Sequence, residues 1–220
     1  MTCIVGIELA GEVHLAADSG SFGDTTTLLA PEDSKVWRTG SYVMGSSGSP
    51  RFANLLRYTM KWPEPSAKDK ATDPALFGFL VNRVAVPLRR LCVGQGLVME
   101  RGRDGDGEPL GDHGNVMVGV AGRLYTMHSD FSVERSTHGY AAIGTGADHA
   151  MGALYVLVAG SSFGRNDPEL VGGRMGNRST RALGQIQIAL EAAEAHCSFV
   201  RKPWVKVSTL VARRQKKKSK

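Results

Sequence analysis

The chain has 220 residues, 42% of them apolar, enough to bury a core without disulfides or a structural metal. Its formal charge of +6 would suit a polyanion-binding protein, but six of its 27 basic residues lie in the last eight, RRQKKKSK (213–220), and the remaining 21 balance 21 acids. The body is therefore neutral, which argues against a nucleic-acid-binding domain and confines any such contact to a basic tail, expected to be disordered and lacking interleaved aromatics.

Cys3, Cys92 and Cys197 are odd in number, far apart and without C-x-x-C spacing. Neither a disulfide framework nor a zinc site is expected, and a reducing compartment fits best. No run of about 18 apolar residues exists, and the N-terminus lacks the basic-then-apolar pattern of a signal peptide. A cytoplasmic protein with no membrane partner is the expectation.

TCIVGIEL (2–9) and EVHLAAD (12–18) are β-rich runs joined across Ala10 and Gly11 as a hairpin. SKVWRTG (34–40) and SYVMGSS (41–47) form a second hairpin pivoting at Gly40 and Ser41. A helix follows in SPRFANLLRYTM, with Ser49 as N-cap, Pro50 as first helical residue, and Phe52, Leu55, Leu56 and Met60 at helical spacing. The stretch 61–74 reads as a polar, proline-bearing connection, and ALFGFLVNRVAVPLRRL (75–91) as a helix kinked at Pro87. The glycine- and aspartate-rich loop over 100–114 fails as a calcium site, because Pro109 stands where the turn glycine belongs and no glutamate closes the loop.

A second strand block covers 115–121, 123–129 and 137–144. A helix begins near Gly146, a strongly periodic one runs over 178–197, and a last strand covers 204–210. Strands, helices, strands and helices follow one another without repeat or linker. This order implies an α+β, four-layer αββα sandwich over residues 1–212, two antiparallel sheets face to face with a helix layer outside each.

The run TCIVGIELAGEVHLAADS, then SKV in the next strand, then MGSSGSPRFA entering a helix, resembles the start of a proteasome β-type subunit of the N-terminal nucleophile hydrolase superfamily. HslV and other bacterial or phage-borne proteasome-like peptidases share the pattern. The likeness is densest over residues 2–56, returns at AAIGTGADHAMGAL (141–154), and is weak over 61–114. It implies a threonine-type endopeptidase subunit of a homo-oligomeric ring or stacked rings, acting on unfolded polypeptide, with an unfolding ATPase as partner and no cofactor or metal.

The chemistry explains why such residues occur together. A threonine hydroxyl needs a base within hydrogen-bond reach, and an N-terminal threonine carries one in its α-amine, whose reference pKa of about 7.7–8.0 suits neutral pH. Removal of Met1, which the small second residue permits, would make Thr2 that nucleophile. The resemblance assigns the catalytic aspartate to Asp18, sixteen residues on, and the lysine to Lys35, one residue later than the family pattern, implying a small insertion in FGDTTTLLAPED. A lysine beside the amine would keep it neutral by like-charge repulsion, and Asp18 would balance the lysine. The family's oxyanion donor, a glycine N–H ahead of the first helix, falls on Gly48. Its two amine-orienting residues fall on Thr145, which keeps a hydroxyl, and Glu194, one methylene longer than the family's aspartate. Ser21 is a further substrate-binding candidate; strand geometry adds Asp33 and Trp37, two residues either side of Lys35, with Ser46 and Pro50 from the adjoining segment.

Blander readings stand beside these. Thr2 is also a strand-favouring residue, Asp18 a turn former, Lys35 an edge charge and Gly48 a turn glycine. Cys3 reads as a buried strand thiol, since exposing it as a nucleophile would require loss of Thr2 as well. His14, His128, His138, His149 and His196 sit in separate elements without metal-binding spacing, and GTGADH fails the dinucleotide fingerprint. A catalytically silent ring or shell subunit, a small-amide amidohydrolase of the same superfamily, and a nucleic-acid tether in the basic tail remain the alternatives.

Overall fold

A computed structural model describes residues 2–22, 28–29, 32–97, 113–159 and 178–209. The basic tail, most of the 100–114 loop and much of the stretch holding the expected insertion lie outside the described residues.

The first hairpin pairs β1 (Ile4–Leu9) with β2 (Glu12–Ala17), from Ile4 opposite Ala17 to Leu9 opposite Glu12. Two-residue strands β3 (Ser21–Phe22) and β4 (Leu28–Leu29) pair beyond it. The second hairpin joins β5 (Val36–Thr39) to β6 (Tyr42–Ser46) across Gly40 and Ser41, as expected. Further on come β7 (Val116–Val120), β8 (Arg123–Met127), the short β9 (Val133–Glu134), β10 (Tyr140–Ile143) and β11 (Val205–Ser208). One antiparallel sheet has the order β10-β1-β2-β11 and the other β5-β6-β7-β8-β9.

Period-two alternation stacks the layers. Ile4, Val13, Leu15 and Ala17 of the first sheet meet Val43, Met117 and Leu124 of the second in one buried cluster. Their strand neighbours Val5, Ile7 and Ala16 face the other way, onto α5 (Ala147–Leu154) and α6 (Arg178–His196) through Ala150, Leu154, Ile186 and Leu190. Tyr42, Met44, Val116 and Val118 turn outward onto α1 (Pro50–Asn54), α3 (Asp73–Phe79) and α4 (Val86–Gly94). The chain is thus the expected αββα sandwich. Each buried Val, Leu, Ile or Met contributes on the order of 1.5–3 kcal/mol, so the three clusters supply the main driving force.

Three details differ from the sequence-based expectation. The connection over 61–74 contains a short helix, α2 (Ala67–Lys70), started by a reciprocal Ser66–Asp69 capping box. Ser49 does precede the first helical residue, yet its side chain makes no capping bond; its N–H donates to the His113 carbonyl at 3.1 Å instead. The break expected at Pro87 takes the form of a π-helical stretch, Leu80–Ala85, just ahead of it, with the Val86 N–H reaching back to the Val81 carbonyl. Proline offers no N–H to continue the regular ladder, and the widened turn absorbs the mismatch. A π-helical turn, Leu55–Thr59, likewise extends α1.

Candidate active site

Asp18 stands directly after β2, and its N–H donates to the Cys3 carbonyl at 3.1 Å, one more rung of the β1–β2 pairing. That register turns its carboxylate toward the start of the chain. Oδ1 accepts from the Cys3 N–H and from Lys35 Nζ, each at 2.8 Å, and Oδ2 accepts from the Gly20 N–H at 3.1 Å. Lys35 Nζ also donates to the Gly20 carbonyl. The Asp18 side chain is fully buried, so its charge is met by two amides and an ammonium in place of water. Burial holds the Lys35 ammonium below the ordinary lysine value, and Asp18 opposes that fall. The later position of Lys35 in the sequence does not keep it from Asp18.

Thr2 is 6% exposed. Its carbonyl accepts from the Gly146 N–H at 3.2 Å, so the turn between β10 and α5 packs on its backbone. Gly144 makes this approach feasible: its φ is +97°, and an added Cβ would lie 2.2 Å from the Thr2 oxygen. Gly144→Ala is therefore expected to lower thermal stability by about 1–3 kcal/mol for the left-handed backbone alone, and to displace Thr2 as well. Gly152→Ala, in the helix α5 that follows and with open space around it, serves as the control and should be neutral or stabilising in the same melts.

Gly48 also has φ +97°, and a Cβ there would lie 2.5 Å from the Gly114 Cα. The amides on either side are used: Ser47 N–H donates to the Asn115 carbonyl at 3.0 Å and Ser49 N–H to His113. Among the described residues the Gly48 N–H meets no acceptor. Two cavities meet at Thr2 and Gly48, a cleft of about 600 Å³ and a smaller chamber of about 300 Å³. Thr2 and Gly48, whose amide is unused, thus stand together on the boundary of the two cavities.

One face of the first helix forms a wall of the cleft, with Pro50, Ala53, Asn54 and Arg57 at positions i, i+3, i+4 and i+7. Ser46 lies on the cleft too; it is 6% exposed, and its Oγ has no hydrogen-bond partner among the described residues. Asp33 lines the cleft but its carboxylate is occupied, accepting from Arg57 at 2.9 Å and from the Tyr58 hydroxyl at 2.7 Å. Trp37 is not on the wall: it is buried in the core beneath Arg57, whose guanidinium lies 4.6 Å from the ring centroid. The side chain of Ser21 lies outside the described residues. Arg57 and Tyr58 were missed by sequence reasoning, although their spacing from Pro50 marks the face opposite the apolar stripe.

Thr145 joins Thr2 around the smaller chamber. Glu194 is engaged elsewhere, accepting from the Lys202 N–H and pairing with Lys202 Nζ, both at 3.2 Å. Cys3 is buried on the helix-facing side of its sheet, where desolvation and the nearby Asp18 charge push its thiol up to about 12. Such a thiol stays protonated at neutral pH and is a poor nucleophile. Among the described residues no group of His, Cys, Asp and Glu is placed to hold a metal ion, and no helix is long and apolar enough to cross a membrane.

No protein-family model and no curated protein sequence matches the chain. Solved structures do match, over nearly its full length. Thiobacillus denitrificans BPH, in a structure with epoxomicin, has a TM-score of 0.61 at 14% identity, covering 94% of this chain and 97% of that one. Eukaryotic HslV from Trypanosoma brucei has a TM-score of 0.59 at 17% identity, covering 94% and 98%. A helical assembly of the Anbu complex from Pseudomonas aeruginosa has a TM-score of 0.60 at 14% identity, covering 94% and 80%. The chain has the fold of HslV and the proteasome β-type subunits, the αββα architecture also described for N-terminal nucleophile hydrolases.

Proposed function

We propose that the protein is a threonine-type endopeptidase subunit of a proteasome-like assembly, with Thr2 as nucleophile once Met1 is removed. The observation that carries this reading is the shared boundary of Thr2, the unused Gly48 N–H and the cleft, with the Lys35–Asp18 pair tied by Asp18 to the Cys3 amide. The α-amine takes the hydroxyl proton as Thr2 Oγ bonds to the scissile carbonyl carbon. Lys35 disfavours a second positive charge on that amine, and Asp18 holds Lys35 in place. The Gly48 N–H receives the oxyanion. Thr145 stands by the amine, whereas Glu194 would have to leave Lys202 to join it.

Assembly into a homo-oligomer belongs to this reading, in keeping with the helical assembly formed by the Anbu complex of the same fold. Cytoplasmic location and supply of unfolded polypeptide by an ATPase are part of the same proposal and rest on the sequence resemblance. A catalytically silent subunit of the same fold is the second reading, and the engagement of Glu194 with Lys202 is what favours it.

Intact mass of the purified protein, before and after exposure to epoxomicin, decides between them. The peptidase reading expects loss of Met1 and a single adduct mapping to Thr2. Retention of Met1 with no adduct, in protein from two expression hosts, would favour the silent subunit.

A further inference from the structure

The two chambers that meet at Thr2 and Gly48 differ in chemistry. Charged groups line the larger one: Glu32, Asp33, Lys35 and Arg57. The smaller is bordered by Ser47, Asn115, Ser129 and Thr145 with glycine backbone between them, and among the described residues no charged side chain lines it. We infer that the smaller chamber receives the substrate residue following the scissile bond and selects an uncharged polar side chain there, with Asn115 and Ser129 as specificity-determining residues. This rests on the threonine-peptidase reading above.

Proton bookkeeping assigns the sides. As the Thr2 Oγ–C bond forms, the hydroxyl proton passes to the α-amine; as the scissile C–N bond breaks, the amine hands that proton to the leaving nitrogen. A water oxygen then bonds to the acyl carbon, its proton passes through the amine to Thr2 Oγ, and the Oγ–C bond breaks. The leaving group and the water must therefore both approach from the amine's flank. The turn Gly144–Gly146 packs on the Thr2 backbone, through the Gly146 N–H to Thr2 carbonyl bond of 3.2 Å, and the Thr145 of that turn lines the smaller chamber. The leaving side opens there, and the acyl side is left with the larger, charged cleft.

Selectivity follows from the lining. A carboxylate or ammonium entering the smaller chamber gives up hydration without meeting a counter-charge among the described residues, whereas a hydroxyl or amide exchanges water for the groups of Ser129 and Asn115. The Asn115 main chain is fixed for this task, because its carbonyl accepts the Ser47 N–H at 3.0 Å.

The test uses wild-type protein and quenched peptides differing only in the residue after the scissile bond, with cleavage positions read by mass spectrometry. Ser or Asn at that position should give kcat/KM about tenfold or more above Asp or Lys. Ser129→Asp should shift the ratio toward Lys and Ser129→Lys toward Asp, opposite changes that a common folding defect would not produce. If wild type forms the Thr2 adduct with epoxomicin but cleaves all four peptides alike, or if the two variants leave the ratio unmoved, the inference is overturned while the peptidase reading stands. If neither adduct nor cleavage is seen, the peptidase reading falls and the inference with it.

Discussion

Replacing Thr2 by alanine is expected to reduce peptide hydrolysis by about a thousandfold or more while the protein still folds. The contacts that hold this end of the chain are made by main-chain atoms: the Thr2 carbonyl to Gly146, and the Cys3 N–H to Asp18. Alanine preserves both and removes the hydroxyl. Thr2→Ser keeps an oxygen nucleophile and should retain activity well above the alanine variant. Melting temperature and size-exclusion profile check that fold and assembly persist, and hydrolysis of unfolded casein checks function. A Thr2→Ala protein as active as the parent would remove the threonine mechanism and return the site to the blander reading of a strand-starting residue.

The layer structure was legible because alternation in the strands and the 3.6-residue period in the helices are local signals. Ile4, Val13 and Leu15 face one way and Val5 and Ile7 the other, as their spacing requires. The front of the candidate site was legible through the family resemblance. Thr2 and Asp18 lie at one end of the first hairpin and Lys35 and Gly48 at one end of another, but these hairpins belong to different sheets, so local pairing alone does not join them. What was not legible depends on distant segments. Arg57 over Trp37, and the use of Asp33 by Arg57 and Tyr58, required the docking of the first helix against β5. Asn115 and Ser129 reach Thr2 only through the pairing of β6 with β7 and of β1 with β10. Glu194 stands at a matching position along the chain, but the following turn puts Lys202 on its carboxylate, an outcome that spacing alone cannot distinguish from contact with the amine.

Lys35→Met is expected to cost both stability and activity, and a second substitution should separate the two. Removing the ammonium leaves the Asp18 carboxylate fully buried with only the Cys3 and Gly20 amides, a loss of about 3–5 kcal/mol by analogy with other broken buried pairs. Adding Asp18→Asn removes that orphaned charge while an amide oxygen still accepts from the Cys3 N–H, so the double variant should regain about 2 kcal/mol in urea unfolding. Activity should return in neither, since the α-amine has lost the neighbouring positive charge that keeps it neutral. The single Asp18→Asn variant supplies a pH test. Burial already holds Lys35 below its ordinary 10.5, and losing Asp18 removes the main opposing influence. The unfolded chain then binds more protons than the folded one across the interval below 10.5, so stability should climb with pH through that interval more steeply than in the parent. A double variant that recovered hydrolysis along with stability would make the pair a strut for the Cys3 amide and nothing more, and the amine would have to stay neutral without help from Lys35.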